Sequence, residues 1–173
     1  MSTVTYRIAG PADAPAVRAL IESGYRGDSA RKGWSNEADL LDGDRTTPEE
    51  VAAMIAAPEK RVLLAERDGA LVGTVTITDL GQGLAYMGLL CIDPDLQAGG
   101  LGRALVNEVE KLAAREFGAT RMELIVVDAR TELIAWYERR GYVRTGELRP
   151  FPLPLDVSFQ MVVLERPLLQ LGA

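Results

Sequence analysis

Three glycines, Gly99, Gly100 and Gly102, fall between an apolar run and an amphipathic helix pattern that starts at Leu101. The first amide groups of a helix have no partner inside the helix and carry partial positive charge from the aligned peptide dipoles. Glycines let such a loop curl until several amide groups converge on one anion, and phosphate is a common one. Arg103 would add a charge-assisted contact. These residues predict a phosphate site, and a glycine-rich turn without a ligand is the alternative.

Two familiar phosphate motifs do not match this loop. The Walker pattern needs Gly-Lys-Ser/Thr, whereas Arg103-Ala104 follows the last glycine here. The dinucleotide-binding pattern needs an earlier glycine, at a position filled by Gln97 or Ala98, and it usually follows the first strand of a parallel unit. The loop here follows several strands that the sequence predicts to be antiparallel.

The absence of histidine limits the chemistry further. With none among 173 residues, a Ser-His-Asp triad, a Cys-His pair and a histidine metal site are excluded, and no metal is expected. Proton transfer must use carboxylates, phenols, the thiol, amines or water. The one cysteine, Cys91, lies in an apolar run. We therefore expect a buried structural thiol rather than a nucleophile or a disulfide.

Charge and composition argue against other classes of protein. The formal net charge is −6 and no concentrated basic face is evident, which argues against nucleic acid as a partner. The first residues lack a signal-peptide pattern, and no apolar run approaches the roughly 18 residues that cross a bilayer. The expectation is a cytoplasmic chain without membrane contact.

The hydrophobic pattern predicts a single α/β domain over residues 1–173, with a mixed sheet of six to seven strands flanked by about four helices. The predicted order is a strand at 3–10, helices at 11–25 and 47–58, a hairpin at 61–80 with its turn at Asp68-Gly69, a strand at 84–92, a helix at 101–117, a strand at 121–127, a helix from 131 that stops at Gly141, and closing strands at 142–149 and 157–165. Pro150, Pro152 and Pro154 are expected in the connection between the closing strands.

Two motifs carry a resemblance to a known family. Gln97-Ala98-Gly99-Gly100-Leu101-Gly102 matches Gln/Arg-x-x-Gly-x-Gly/Ala and resembles the acetyl-CoA signature of the GNAT superfamily of N-acetyltransferases. The segment "LIAWYERRGY" is similar to the family's tyrosine helix, with Tyr137, Gly141 and Tyr142 at the expected spacing. The element order also matches over almost the whole chain. Together these features predict a GNAT-like fold and acetyl transfer.

The resemblance implies a role for each part of the two motifs. Acetyl-CoA would be the co-substrate, with its pantetheine arm along the backbone of the strand end and its pyrophosphate on the glycine loop. The implied cofactor-binding residues are Leu90, Cys91, Ile92, Gln97, Ala98, Gly99, Gly100, Leu101, Gly102 and Arg103. Tyr137 would protonate the departing thiolate, since its ordinary pKa of about 10 is closer to that of a thiol than a carboxylic acid's is. The alternative for Tyr137 is a ring packed in the core.

The chain departs from the family pattern at two places. Many relatives carry an asparagine seven residues before the tyrosine, and this chain has Arg130, which would reach a phosphate or carbonyl of CoA or point to solvent. Some relatives use a glutamate on the strand before the signature as the base, and residues 84–92 contain no carboxylate. The remaining candidates for the base, directly or through water, are Tyr86, Glu123, Glu37 and Asp39.

Residues 25–46 are predicted to form the acceptor side of the site. They are polar, and their apolar residues show no regular spacing. Trp34 would stack on a substrate and Glu37 would attract an ammonium group, or Trp34 would only pin the loop to the core. Residues 150–154 would form an opposite wall or part of a homodimer interface. The predicted function is acetyl transfer from acetyl-CoA to a primary amine of a small molecule or peptide. A non-catalytic acyl-CoA-binding module and an unrelated nucleotide-phosphate binder are the alternatives.

Overall fold

The computed structural model describes residues 3–25, 47–93, 95–96, 100–150 and 160–168. Within these ranges the chain forms one seven-stranded mixed sheet and four α-helices, as predicted. The elements are β1 Val4–Ile8, a 3-10 turn Pro11–Asp13, α1 Ala14–Tyr25, α2 Pro48–Ala56, β2 Lys60–Arg67, β3 Ala70–Gly81, β4 Leu84–Ile92, α3 Leu101–Phe117, β5 Arg121–Val127, α4 Thr131–Arg139, β6 Val143–Pro150 and β7 Gln160–Pro167.

The sheet has the strand order β1-β2-β3-β4-β5-β7-β6. Every neighbouring pair is antiparallel except β4 and β5, which are parallel and are connected by α3. The predicted turn between β2 and β3 is confirmed, because Asp68 and Gly69 both have positive φ, +54° and +79°. This geometry matches the right-handed twist of the two strands that it joins.

Both faces of the sheet are covered. Alternate residues of β2 belong to different buried clusters, Leu63 and Ala65 to one and Val62 and Leu64 to the other. The first cluster includes the apolar faces of α3 and α4, and the second includes residues of α1 and α2. Each fully buried large aliphatic side chain contributes about 1.5–3 kcal/mol. The covered sheet therefore forms a rigid frame for the segments at the carboxyl ends of β4 and β5.

The position of Pro150 differs from the sequence expectation. Pro150 is the last residue of β6 and is paired with Gln160 of β7, rather than lying in the connection between these strands. β6 lies at the edge of the sheet. A proline is tolerated there because one side of an edge strand needs no ladder hydrogen bond.

The first turns of α3 approach the sheet closely at Gly73 of β3. A Cβ atom on Gly73 would lie 3.0 Å from Cδ1 of Ile92 and 3.2 Å from Cδ2 of Leu105. Leu105 belongs to α3 and is fully buried, and Ile92 is the last residue of β4. The missing side chain thus sets the distance between the start of α3 and the end of β4.

Replacing Gly73 with alanine is expected to destabilise the fold by about 1–2 kcal/mol, because two packed side chains must move to admit the new methyl group. Urea unfolding followed by circular dichroism measures this change. Gly10→Ala is the control, since a Cβ there would have its nearest neighbour at 3.9 Å. Equal stability of the two variants would show that Gly73 is not a packing constraint.

Candidate active site

The β4–β5 ladder is short and ends where the two strands diverge. It consists of three pairs, Leu84 with Arg121, Ala85 with Met122 and Tyr86 with Glu123. Beyond Tyr86 and Glu123 the described residues of the two strands form no further pairs with each other, although β4 runs on to Ile92 and β5 to Val127. We call the space between residues 87–92 and 124–127 the strand opening.

A backbone irregularity helps to turn β4 away from β5. The register between β3 and β4 shifts between Thr74 and Thr76, and Leu89, on the facing part of β4, has φ +54°. An extra residue in one strand bends that strand, and a left-handed conformation at a branched side chain is strained. Such strain persists only where the surrounding fold enforces it. The strand opening is therefore built into the sheet.

The first turn of α3 begins next to the strand opening. Its N-cap, Gly100, has φ +79° and provides no side-chain hydrogen bond to the helix. Gly102 is buried, and a Cβ atom there would lie 3.6 Å from the Trp136 ring and 3.8 Å from Cγ1 of Ile92. The start of α3, the end of β4 and the middle of α4 therefore meet at Gly102.

Tyr137 lies on α4 with 7% of its surface exposed. Its ring packs edge-on against Trp136, with centroids 5.0 Å apart, and against Tyr142, 5.8 Å apart. Burial raises the pKa of the phenol above its ordinary value, and Tyr86 raises it further, while Arg130 opposes the shift. The phenol is therefore protonated at neutral pH, so it is suited to donate a proton rather than to accept one.

Tyr86 lies on β4 in the last pair of the β4–β5 ladder, next to the strand opening. The β4 neighbours of Tyr86, Ala85 and Met87, belong to the buried cluster that contains α4, so Tyr86 points to the other face of the sheet. Its ring lies over Gly88, where a Cβ atom would be 3.0 Å from Cε1 of Tyr86. From this position, at the end of the ladder, Tyr86 raises the pKa of Tyr137.

Glu123 lies opposite Tyr86 but its carboxylate is already engaged. It is 5% exposed, and its two oxygens accept hydrogen bonds from Nη1 and Nη2 of Arg149 at 2.9 and 3.3 Å. Arg149 also donates from Nε to Glu147 at 2.7 Å. Both carboxylate oxygens are therefore occupied by the guanidinium group of Arg149, in the paired geometry typical of arginine and carboxylate. This geometry argues against Glu123 as the base and gives it a role in fixing Arg149.

Cys91 is 2% exposed, and its thiol donates to the carbonyl oxygen of Leu20 at 3.2 Å. The thiol joins the end of β4 to α1. Thiol reagents are therefore expected to react with Cys91 at least about a hundredfold faster in guanidinium chloride than in buffer, since a buried apolar thiol is inert. Absorbance of the released aromatic thiolate measures the rate. Fast labelling of the native protein would contradict this burial.

The structure brings together only part of the predicted site. Leu90, Cys91 and Ile92 form the end of β4, Gly100 to Arg103 form the start of α3, and Arg130 is the N-cap of α4, with its charge in reach of Tyr137. Gln97, Ala98, Gly99, Trp34, Glu37 and Asp39 lie outside the described residues. Sequence reasoning missed Gly88 and Trp136, because their roles depend on contacts between different elements. In the sequence, Gly88 could have been noticed only as a glycine within a predicted strand, and Trp136 only as the neighbour of Tyr137.

Two other features of the described ranges bear on the site. They contain no group of three or more histidine, cysteine, aspartate or glutamate residues placed to hold a metal ion. None of the helices in these ranges combines the length and the apolar character that spanning a bilayer requires.

The parallel pair β4–β5 diverges, α3 starts at a glycine with positive φ, and a buried tyrosine lies on α4. The family model described as "Acetyltransferase (GNAT) family" matches residues 29–142, well over half of the chain. The chain belongs to this family, as the two motifs predicted.

One curated relative and two solved structures illustrate the similarity. S-(2-succino)cysteine N-acetyltransferase of Bacillus subtilis (strain 168) is 30% identical over 96 residues, which are 51% of this chain and 58% of that protein. The match thus spans little more than half the length of that curated relative. The ribosomal-protein-S18-alanine N-acetyltransferase of Escherichia coli is 18% identical, with a TM-score of 0.74 over 98% of this chain and 97% of that one. The structure of yncA from Salmonella typhimurium, solved with its cofactor acetyl-CoA, is 19% identical, with a TM-score of 0.72 over 99% and 98% of the two chains.

Proposed function

We propose that this chain transfers an acetyl group from acetyl-CoA to a primary amine of a small molecule or peptide, with Tyr137 as the general acid. The observation that carries the proposal is the position of Tyr137, which is buried on α4, the helix that meets the start of α3 and the end of β4 at Gly102. Membership of the GNAT family supports acetyl-CoA as the donor. The fold shared with yncA, which was solved with acetyl-CoA, agrees with this choice.

The donor would lie across the strand opening. Its pantetheine arm carries amide groups that can pair with a strand edge as an added strand does. We propose that it follows the backbone of Leu90, Cys91 and Ile92, on the edge from which β5 has diverged. The thioester then comes close to the phenol of Tyr137.

The pyrophosphate would lie on residues 97–102 and Arg103. Gly100 has a positive φ and carries no capping side chain, and nothing lies within 4 Å of the position its Cβ would take. The amide groups of the first turn therefore face a space that no side chain of Gly100 fills. An anion at this position interacts favourably with the helix dipole.

The proposed reaction is a direct attack. The amine nitrogen forms a bond with the thioester carbonyl carbon, and the carbon–sulfur bond breaks as the oxyanion collapses. A backbone amide near Ile92 would polarise the carbonyl oxygen as charge develops. Tyr137 gives its proton to the departing sulfur, and the phenolate recovers a proton while the nitrogen loses one. Holding the amine and the acyl carbon together removes much of the entropic part of the barrier.

The names of two relatives support an amine as the acceptor. One acts on S-(2-succino)cysteine and the other on an alanine of ribosomal protein S18, each as an N-acetyltransferase. The two acceptors differ in size, so they support the reaction type rather than one substrate. The acceptor-side residues that we propose, Trp34 and Glu37, lie outside the described residues.

The test is CoA release from acetyl-CoA in the presence of a panel of primary amines, with amino acids, polyamines and peptides that have a free N-terminus. We expect at least one amine to accelerate thiol release above the rate of hydrolysis. The burial of Cys91 keeps the background of the thiol assay low. CoA binding without transfer to any amine would favour a non-catalytic acyl-CoA-binding module. Thermal protection by ATP or NAD, with none from acetyl-CoA, would favour a nucleotide-phosphate binder.

A further inference from the structure

Arginines from three elements meet beside the first turns of α3. A cavity of about 320 Å³ is lined by Arg103 and Asn107 of α3, Arg139 and Arg140 at the end of α4, and Arg166 of β7. The whole chain has a net charge of −6, so this concentration of positive charge is not a consequence of its average composition. It is a local feature of the fold.

These arginines are poorly neutralised by the protein itself. Within the described part of the chain, Arg103, Arg139 and Arg140 form no salt bridge with a carboxylate, whereas arginines on β1, β5 and β6 pair with carboxylates at 2.8–2.9 Å. Arg166 approaches Glu110 at 3.5 Å, and the other oxygen of that carboxylate accepts a hydrogen bond from Tyr142 at 2.7 Å. Among the four arginines that line the cavity, Arg166 alone has a carboxylate within 4 Å in the described part of the chain.

The fold holds Arg140 in the cluster although its surroundings disfavour its positive charge. Its Nη1 donates to the carbonyl oxygen of Trp136 at 3.0 Å, and its guanidinium group lies 4.6 Å from the centroid of the Trp136 ring. Burial lowers the pKa of Arg140, and the charges of Arg103 and Arg139 lower it further. Like charges brought together and oriented without a counter-ion are a favourable receptor for a multivalent anion.

We propose that this cavity binds the 3′-phosphate on the ribose of CoA and makes the protein prefer CoA to 3′-dephospho-CoA. The inference rests on the proposed function, because it takes CoA as the donor. A phosphate monoester carries close to two negative charges and three acceptor oxygens, which suit planar guanidinium donors. The cavity greatly exceeds the roughly 10–15 Å³ that one water molecule needs.

The position of the cavity fits the covalent structure of CoA. Arg103 lies in the first turn of α3, where the pyrophosphate is proposed, and Asn107 lies one turn further, about 6 Å along the helix axis. The 3′-phosphate sits on the same ribose that carries the pyrophosphate. A ligand with its pyrophosphate on the first turn can therefore place its 3′-phosphate beside the second turn. Trp136, which contacts the start of α3 at Gly102, also supports Arg140 and so links the two subsites.

The test compares the Kd values of CoA and 3′-dephospho-CoA by calorimetry for wild type, Arg139→Gln and the control Arg115→Gln. Arg139 is exposed and has no salt bridge in the described residues, so its loss should not affect folding. Arg115 is an exposed arginine near the other end of α3. We expect wild type to bind CoA at least about tenfold more tightly than 3′-dephospho-CoA, as expected for charge-assisted hydrogen bonds. Arg139→Gln should weaken CoA about three- to tenfold and leave 3′-dephospho-CoA unchanged.

The remaining outcomes separate the competing explanations. The double variant Arg139→Gln/Arg140→Gln should bring the two Kd values close together, while Arg115→Gln should keep the wild-type ratio. Inorganic phosphate should compete with CoA more strongly than with 3′-dephospho-CoA. Equal affinity of wild type for both forms, or equal weakening of both by Arg139→Gln, would overturn the inference and leave acetyl transfer intact. If neither CoA nor 3′-dephospho-CoA binds, the proposed function itself is overturned.

Discussion

Tyr137→Phe is expected to lower kcat by about a hundredfold, within the range attributed to a general acid, and to leave the Kd of CoA nearly unchanged. Phenylalanine keeps the ring that packs against Trp136 and Tyr142. Among the described residues, none is hydrogen-bonded to the Tyr137 hydroxyl, so removing it leaves no buried partner unsatisfied there. The loss should therefore appear in the chemical step rather than in folding or cofactor binding.

Steady-state thiol release and calorimetry with CoA measure the two quantities. Tyr142→Phe is the matched control, since it removes a neighbouring buried hydroxyl that donates to Glu110 at 2.7 Å. That variant should lose about 1 kcal/mol of stability and retain its kcat. A Tyr137→Phe enzyme with the kcat of wild type would rule out this phenol as the proton donor.

The dependence on pH follows from the direction of the same pKa shift. Burial raises the pKa of Tyr137, so the protonated acid persists past the pH of about 10 at which an exposed tyrosine ionises. The kcat of wild type should therefore not fall through mildly alkaline pH on account of this group. Because burial disfavours the phenolate, the free energy of unfolding should fall as the pH rises above about 10, where the unfolded chain ionises first, towards the folded-state pKa. A loss of kcat near pH 8 that Tyr137→Phe abolishes would contradict the shift.

The parts of the fold that sequence reasoning predicted depend on local chemistry. Asp68 and Gly69 tolerate positive φ, so the hairpin between β2 and β3 could be placed from two residues. The amphipathic pattern that starts at Leu101 predicted α3 in the same way, and Leu101, Leu105 and Leu112 form part of its buried face. These patterns arise within one element or one turn, and they are readable without knowledge of the partners.

The parts that sequence reasoning did not supply depend on contacts between distant elements. Arg149 neutralises Glu123 across β7, which separates their strands in the sheet, and no spacing along the chain encodes this pair. The arginine-lined cavity likewise draws residues from α3, α4 and β7. The pairing of Pro150 also depends on such contacts, because β6 becomes an edge strand only when β7 inserts between it and β5. The charges around the predicted site are therefore set by contacts between residues that are far apart in the sequence.

Gly102→Leu is expected to raise the Kd of CoA by at least about tenfold, because a branched side chain would occupy the space where three elements meet. A Cβ at this position would already contact Trp136 at 3.6 Å and Ile92 at 3.8 Å, so the further carbons of leucine must displace Trp136 or enter the proposed phosphate site. Either movement separates the first turn of α3 from the strand opening. Affinity should fall in both cases.

Gly102→Ala is the matched control, because its single methyl group would make only ordinary contacts at these distances. Alanine is also the more favourable helix residue by about 1 kcal/mol, so this variant should fold at least as well as wild type. Calorimetry should then give a Kd for CoA close to that of wild type for Gly102→Ala and a much weaker one for Gly102→Leu, with urea unfolding to confirm that both are folded. Wild-type affinity in a folded Gly102→Leu protein would mean that the diphosphate binds away from the start of α3, and the assignment of the donor site to this loop would be wrong.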